Sequence, residues 1–258
     1  CKGFKVNEDS TVYTFFLRKG LRWSDGEPLT MDDVKFAWED LNFNEEMNAK
    51  VAQAYKDPVT GEPVKFAVVD DWTFTLSFDT PNVDAHVSRV GHSCAKGYGF
   101  GCHAMPKQFL KSYPPKYAEK AKLDAMIKEG GHENWTQLFK ANYNRRFEAD
   151  VPTTGHFYLC EATGSGTAGG RTVMCANPYY HGFDPAGNQL PYLDGYEFNV
   201  MESREVAVLR GMNGEVDGPY SGMMYPEELP VYIENMEKGD FSLYHWPDFS
   251  GNDAGVIF

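Results

Sequence analysis

Residues 13–34 read YTFFLRKGLRWSDGEPLTMDDV, and a strand signal, a turn signal and a helix-start signal follow one another along them. Thr11–Arg18 (TVYTFFLR) is rich in β-branched and aromatic residues, which pack well on a pleated surface, so a strand is expected there. Trp23-Ser24-Asp25-Gly26-Glu27-Pro28 concentrates turn formers. Asp25 can accept from backbone amides ahead of it and Gly26 can take a positive φ, so this stretch is expected to be a structural turn rather than a ligand site. Thr30 then stands as an N-cap before Met31-Asp32-Asp33, acidic residues in a first turn where free N–H groups favour negative charge. Val34, Ala37, Trp38 and Leu41 recur at i, i+3, i+4 and i+7, which predicts an amphipathic helix over 31–41 with its apolar face on a core.

Outward from this segment, strands and helices interleave. Val64–Val69 and Trp72–Phe78 read as strands joined at Asp70-Asp71. Residues 82–90 and 105–112 are short helix candidates, Tyr117–Lys128 is a stronger one stopped by Gly130-Gly131, and Asn134–Tyr143 another. Phe157–Ala162 and Arg171–Ala176 flank a loop of Gly, Ser and Thr and predict a β-hairpin. Tyr196–Met201 reads as a strand, Glu205–Met212 as a helix and Val216 as the start of a further strand. Pro226–Met236 is expected to be a helix broken at Pro230, which has no N–H to donate. Phe241–Trp246 and Ala254–Phe258 read as strands. The fold class expected is therefore mixed α/β.

Composition bounds the function classes. With 24 basic and 37 acidic residues the net charge is −13, which argues against nucleic acid and against an anionic membrane surface as general partners, since both require a cationic footprint. Hydrophobic residues make up 42% and aromatics 15% of the 258 residues, enough for a packed core in one large or two small domains. No apolar run approaches the roughly 20 residues of a membrane span. The apolar end Gly255–Phe258 reads as a strand with no polar tail, as expected of a piece of a longer protein; a lipid-bearing Cys1 is an alternative reading of the other end.

Chemistry-bearing residues are sparse. His92-Ser93-Cys94 and Cys102-His103 look like a metal box, but seven residues separate the cysteines where zinc sites use two to four. A disulfide between Cys94 and Cys102, and two free thiols, remain the other readings. Cys160 and Cys175 lie on the arms of the expected hairpin and fall opposite each other if its turn centres between residues 167 and 168. The histidines form no zinc-helix pair with glutamate. Gly164-Ser165-Gly166 fails the nucleophile-elbow pattern for want of a following helix, and no acid/base pair for glycoside cleavage stands out. No cofactor is implied.

Taken in order, Tyr13–Val34, Val69-Asp70-Asp71-Trp72-Thr73-Phe74, Thr154-Gly155-His156-Phe157-Tyr158-Leu159, Asn177-Pro178-Tyr179-Tyr180, Gln189–Asp194 and Gly214-Glu215-Val216-Asp217 resemble the signature segments of the bacterial solute-binding proteins that serve oligopeptide, dipeptide and nickel ABC importers. His156 stands where that family commonly has proline. The resemblance implies lobe I of a periplasmic-binding-protein-like, two-lobed receptor. Residues 1–150 would be mainly an inserted α+β subdomain and 151–258 mainly the sheet-forming part, with the second lobe outside this chain. It further implies no enzymatic activity, a periplasmic or extracellular location, a monomer, a peptide or other small polar solute as ligand and a membrane permease as partner. In such proteins the stretch after Gly-Glu-Ile-Asp tends to face the ligand, which singles out Tyr220, Ser221, Gly222 and Met223 within residues 218–224. A carbohydrate hydrolase, or the sensing domain of a transcriptional regulator built on the same fold, are the alternatives; the first needs an acid/base pair and the second flanking DNA-binding or membrane sequence.

Overall fold

The computed structural model describes residues 2–47, 55–83, 85, 104–143, 151–164, 168–217 and 226–243. The expected Cys94–Cys102 pair, most of the 82–90 helix, Tyr220 to Met223 and the strand over 254–258 lie outside these residues. The chain divides into two compact units, one of residues 1–162 and 172–197, the other of residues 163–171 and 198–258.

The first unit holds a four-stranded sheet in the order β1 (Gly3–Val6), β2 (Val12–Phe16), β4 (Thr73–Ser77), β3 (Lys65–Asp70), with every neighbouring pair antiparallel. β2 follows the period of two dictated by the pleat: Tyr13 and Phe15 are buried while Val12, Thr14 and Phe16 are half-exposed. The β2–β4 register sets Tyr13 against Leu76 and Phe15 against Phe74, whose rings stack with centroids 5.1 Å apart.

The helix from Thr30 differs from expectation in form and in environment. Met31–Lys35 is α-helical, and Phe36–Asn42 continues it with the wider π spacing. Val34 and Trp38 belong to the core cluster beneath the sheet, with Trp38 stacked on Phe66 at 5.5 Å. Phe36, Ala37 and Leu41 belong to a second cluster with Leu110, Leu123, Trp135, Leu138 and Phe139. The segment is thus an interior element covered on both faces rather than an amphipathic one. Helices over Lys107–Leu110, Lys120–Glu129 and Trp135–Tyr143 supply that second cluster.

A second sheet runs β5 (Phe157–Thr163), β6 (Arg171–Ala176), β7 (Gly195–Asn199). Cys160 on β5 and Cys175 on β6 are joined in a disulfide, with Cα atoms 5.8 Å apart. In the second unit, helices over Arg204–Met212 and Leu229–Gly239 lie side by side, and their C-terminal ends approach so closely that a Cβ on Gly214, which has φ +71°, would collide with the Gly239 carbonyl oxygen.

Three expectations differ from the structure here. Pro230 does not break a helix: it sits in the first turn of Leu229–Gly239, after a 3₁₀ turn over Pro226–Glu228, where its missing N–H has no intrahelical acceptor to lose. Val216 begins no strand in residues 215–217, and 241–243 are likewise outside any strand. Among the described residues no helix is long and apolar enough to cross a membrane.

Candidate functional site

Sequence segments far apart meet at the Trp23–Pro28 turn. Trp23 is 4% exposed, and its indole N–H points to Asp33 Oδ2 at 3.4 Å, so its ring offers no free face to a solute. Asp25 Oδ1 accepts from Glu27 N at 3.0 Å and Gly26 has φ +88°, the turn construction expected from the sequence. Ser24 N donates to the Thr153 carbonyl at 2.9 Å and Ser24 Oγ accepts from Thr153 N at 3.0 Å. Buried Asn177 closes the same joint, donating from Nδ2 to Gly155 O at 2.8 Å and accepting from Tyr179 N at 2.9 Å. The sequence presented these motifs separately; a buried asparagine within Asn-Pro-Tyr-Tyr is the signal that could have joined them, because such an amide must find backbone partners.

Asp33 is the buried charge beside this joint. Its Oδ2 accepts from Thr30 N at 2.8 Å and its Oδ1 from Lys107 N at 3.0 Å. Burial raises its pKa above the ordinary value, against the pull of these hydrogen bonds. Thr30 is the N-cap, as expected, in a capping box: its side chain faces the Asp33 backbone N–H while the Asp33 carboxylate reaches back to Thr30 N, and the Thr30 hydroxyl stands 3.5 Å from Asp33 Oδ2.

Next to the joint lies an open cleft of about 360 Å³ between residues 18–22 and 178–189. Arg18, Lys19 and Arg22 line one side, Tyr179, Tyr180 and Phe183 the other. Arg18 donates to the His181 carbonyl at 3.0 Å and Arg22 to the Gly26 carbonyl at 2.6 Å. The His181 pKa is lowered, first by burial and then by the Arg18 charge. Below it, Asp184 accepts from Tyr192 Oη and Asn188 Nδ2, each at 2.8 Å or less, and these bonds hold its carboxyl down to about 2. Among the described residues no group of three or more His, Cys, Asp or Glu side chains converges on a point that could hold a metal.

The expected ligand-facing residues Tyr220, Ser221, Gly222 and Met223 lie outside the described residues, so their surroundings are bracketed only by the flanks. On one flank Ser203 caps Arg204–Met212, accepting from Val206 N at 3.4 Å. On the other, Glu228 pairs with Arg204, which ties the start of the helix that follows the stretch to the start of the one that precedes it.

Comparison with known proteins gives a consistent result. The model of the bacterial extracellular solute-binding proteins, family 5, matches residues 1–246. The chain is 27% identical over 242 residues to the periplasmic alpha-galactoside-binding protein of Rhizobium meliloti, covering 92% of this chain and 29% of that protein. It is 26% identical over 237 residues to the periplasmic oligopeptide-binding protein OppA of Salmonella typhimurium, covering 86% of this chain and 34% of the relative. A solved structure of an oligopeptide-binding protein OppA superposes with a TM-score of 0.77 at 27% identity, over 92% of this chain and 36% of that one. The chain thus spans about a third of the length of the curated relatives it matches.

Proposed function

The chain belongs to the family 5 bacterial extracellular solute-binding proteins, and from that premise we propose that it forms part of the substrate-binding component of an ABC importer. That component captures a peptide or other small polar solute outside the cytoplasmic membrane and presents it to a permease. The family match, extending over residues 1–246, is the observation that carries this reading. The absence of turnover is part of the proposal: the relatives are named as binding proteins.

The solute class is broad, since one relative is named for alpha-galactosides and another for oligopeptides at nearly equal identity. Both are polar, extended molecules that require hydrogen-bonding backbone and an aromatic wall. Residues 218–224 carry that chemistry. Gly218 and Gly222 would let a solute approach the main chain, Tyr220 offers a ring and a hydroxyl, Ser221 a small hydrogen-bonding group and Met223 an adaptable apolar surface. Residues 1–150 would be mainly the inserted subdomain of the first lobe and 151–258 mainly its sheet.

The test is a thermal-shift screen of the protein as its reading frame encodes it, against di- and tripeptides, raffinose and stachyose, followed by titration of any hit against Tyr220→Ala. Binding that weakens roughly tenfold or more in a folded variant places Tyr220 at the solute, tenfold being about 1.4 kcal/mol. Unchanged affinity removes the 218–224 stretch from the site.

A further inference from the structure

The cleft beside the Trp23–Pro28 turn has a chemistry unlike the rest of the chain. The whole carries 37 acidic residues against 24 basic ones, yet Arg18, Lys19 and Arg22 gather on one wall and none of the described residues lining the cleft is acidic. His181 adds no charge near neutral pH, because burial and then Arg18 push its pKa down. The positive charge of the cleft is therefore that of Arg18, Lys19 and Arg22.

Arg18 and Arg22 are positioned before any ligand arrives. Each spends one N–H on a backbone carbonyl, that of His181 at 3.0 Å and that of Gly26 at 2.6 Å, and keeps the rest of its planar fork. Lys19 lies with its Nζ 5.5 Å from the centre of the Trp72 ring. A guanidinium already held loses little side-chain freedom on binding, which favours recognition of a planar anion. The opposite wall is aromatic: Tyr179 is 44% and Phe183 61% exposed, faces a monomeric surface ordinarily covers or spares. Tyr179 is itself seated, since a Cβ on Gly26 would stand 3.0 Å from its hydroxyl.

We propose that this cleft binds a carboxylate carried on a flat apolar body, with Arg18, Lys19 and Arg22 meeting the anion and Tyr179 and Phe183 meeting the body. Such a group occurs both in free aromatic acids and at the carboxyl end of peptides with an aromatic last residue. A charge-assisted contact to a guanidinium fork accounts for the anion, and ring packing for the body. The described lining of the site comes from residues 18–22 and 178–189.

The experiment is a ¹⁹F NMR titration of the protein with 4-fluorobenzoate and, separately, 4-fluorobenzamide, with N-acetyl-Gly-Phe and its C-terminal amide in competition. The benzoate should bind saturably and the amide at least about tenfold more weakly, and the affinity should fall with salt. Displacement of 4-fluorobenzoate by N-acetyl-Gly-Phe assigns the peptide source; failure to displace assigns the free acid. The Lys19→Gln/Arg22→Gln pair should weaken the benzoate at least about fivefold with an unchanged melting temperature, and Lys19→Gln alone decides if the pair fails to fold. No saturable binding, equal binding of acid and amide, or an affinity indifferent to the substitutions would overturn the proposal.

Discussion

Two aspartates show how a single carboxylate can organise this fold, with opposite pH signatures. Asp33 is 4% exposed and takes hydrogen bonds from Thr30 N, Lys107 N and the Trp23 indole, so Asp33→Ala leaves buried donors without an acceptor. The expected loss is about 2–3 kcal/mol in urea unfolding. Thr30→Ala removes the reciprocal half of the capping box and is expected to cost about 1 kcal/mol; no loss would leave the cap to the Asp33 carboxylate alone. Asp57, 1% exposed, accepts from Val59 N, Thr60 N, Thr80 N and Thr80 Oγ1. Burial opposes its ionisation, but these bonds outweigh it and hold the pKa well below the ordinary 3.8. Its contribution is therefore complete above that value and lost as the pH falls below it, because the unfolded state then binds the proton first. Asp33, whose pKa burial raises, works the other way: its term fades as pH rises through the folded value. Asp57→Asn should lower the urea midpoint at pH 7 and lose less on going to pH 3 than the wild type; equal losses would show that Asp57 does not carry the acid sensitivity.

At the scale of elements, what could be read from the sequence was whatever depends on period and local chemistry. Val34, Ala37, Trp38 and Leu41 are all buried, as their spacing requires. That Phe36 would be equally buried, making the helix interior on both faces, depends on helices some 70 to 100 residues downstream, and no local signal reports them. The Pro230 error has the same root: proline reads as a breaker until the helix start is located, and Pro226–Glu228 hides that start behind a 3₁₀ turn. Cys160 and Cys175 were legible because a hairpin turns sequence spacing into distance. The stretch proposed to face the ligand, residues 218–224, is suggested by family resemblance alone, since Gly, Tyr and Ser in a loop have no spacing rule of their own. The disulfide closes a separation of 15 residues, which corresponds to about 3 kcal/mol of lost unfolded-state freedom. Cys160→Ser/Cys175→Ser should accordingly melt several degrees lower than the oxidised wild type, and reductant should lower the wild type alone. A wild type indifferent to reductant would show that the bridge adds no stability.

For the whole molecule, the physical case for a receptor rests on a shared architecture rather than on a catalytic constellation. Residues 1–246 follow one family's pattern and the chain superposes on an OppA structure with a TM-score of 0.77. Within this chain, distant segments meet at hydrogen-bonded joints: Ser24 with Thr153, Asn177 with Gly155, Asp33 with Trp23. Joints of this kind hold a scaffold rigid while loops meet the solute. A solute-binding component must bind reversibly and return its ligand unchanged, whereas an enzyme on the same scaffold would consume it. The most direct measurement is a calorimetric titration of the encoded protein with the solute that most raises its melting temperature, followed by chromatography of the recovered solute. Saturable binding near one equivalent with the solute recovered intact is the predicted result; a solute recovered cleaved, or no saturable binding across the peptides and galactosides, would contradict a role in solute capture.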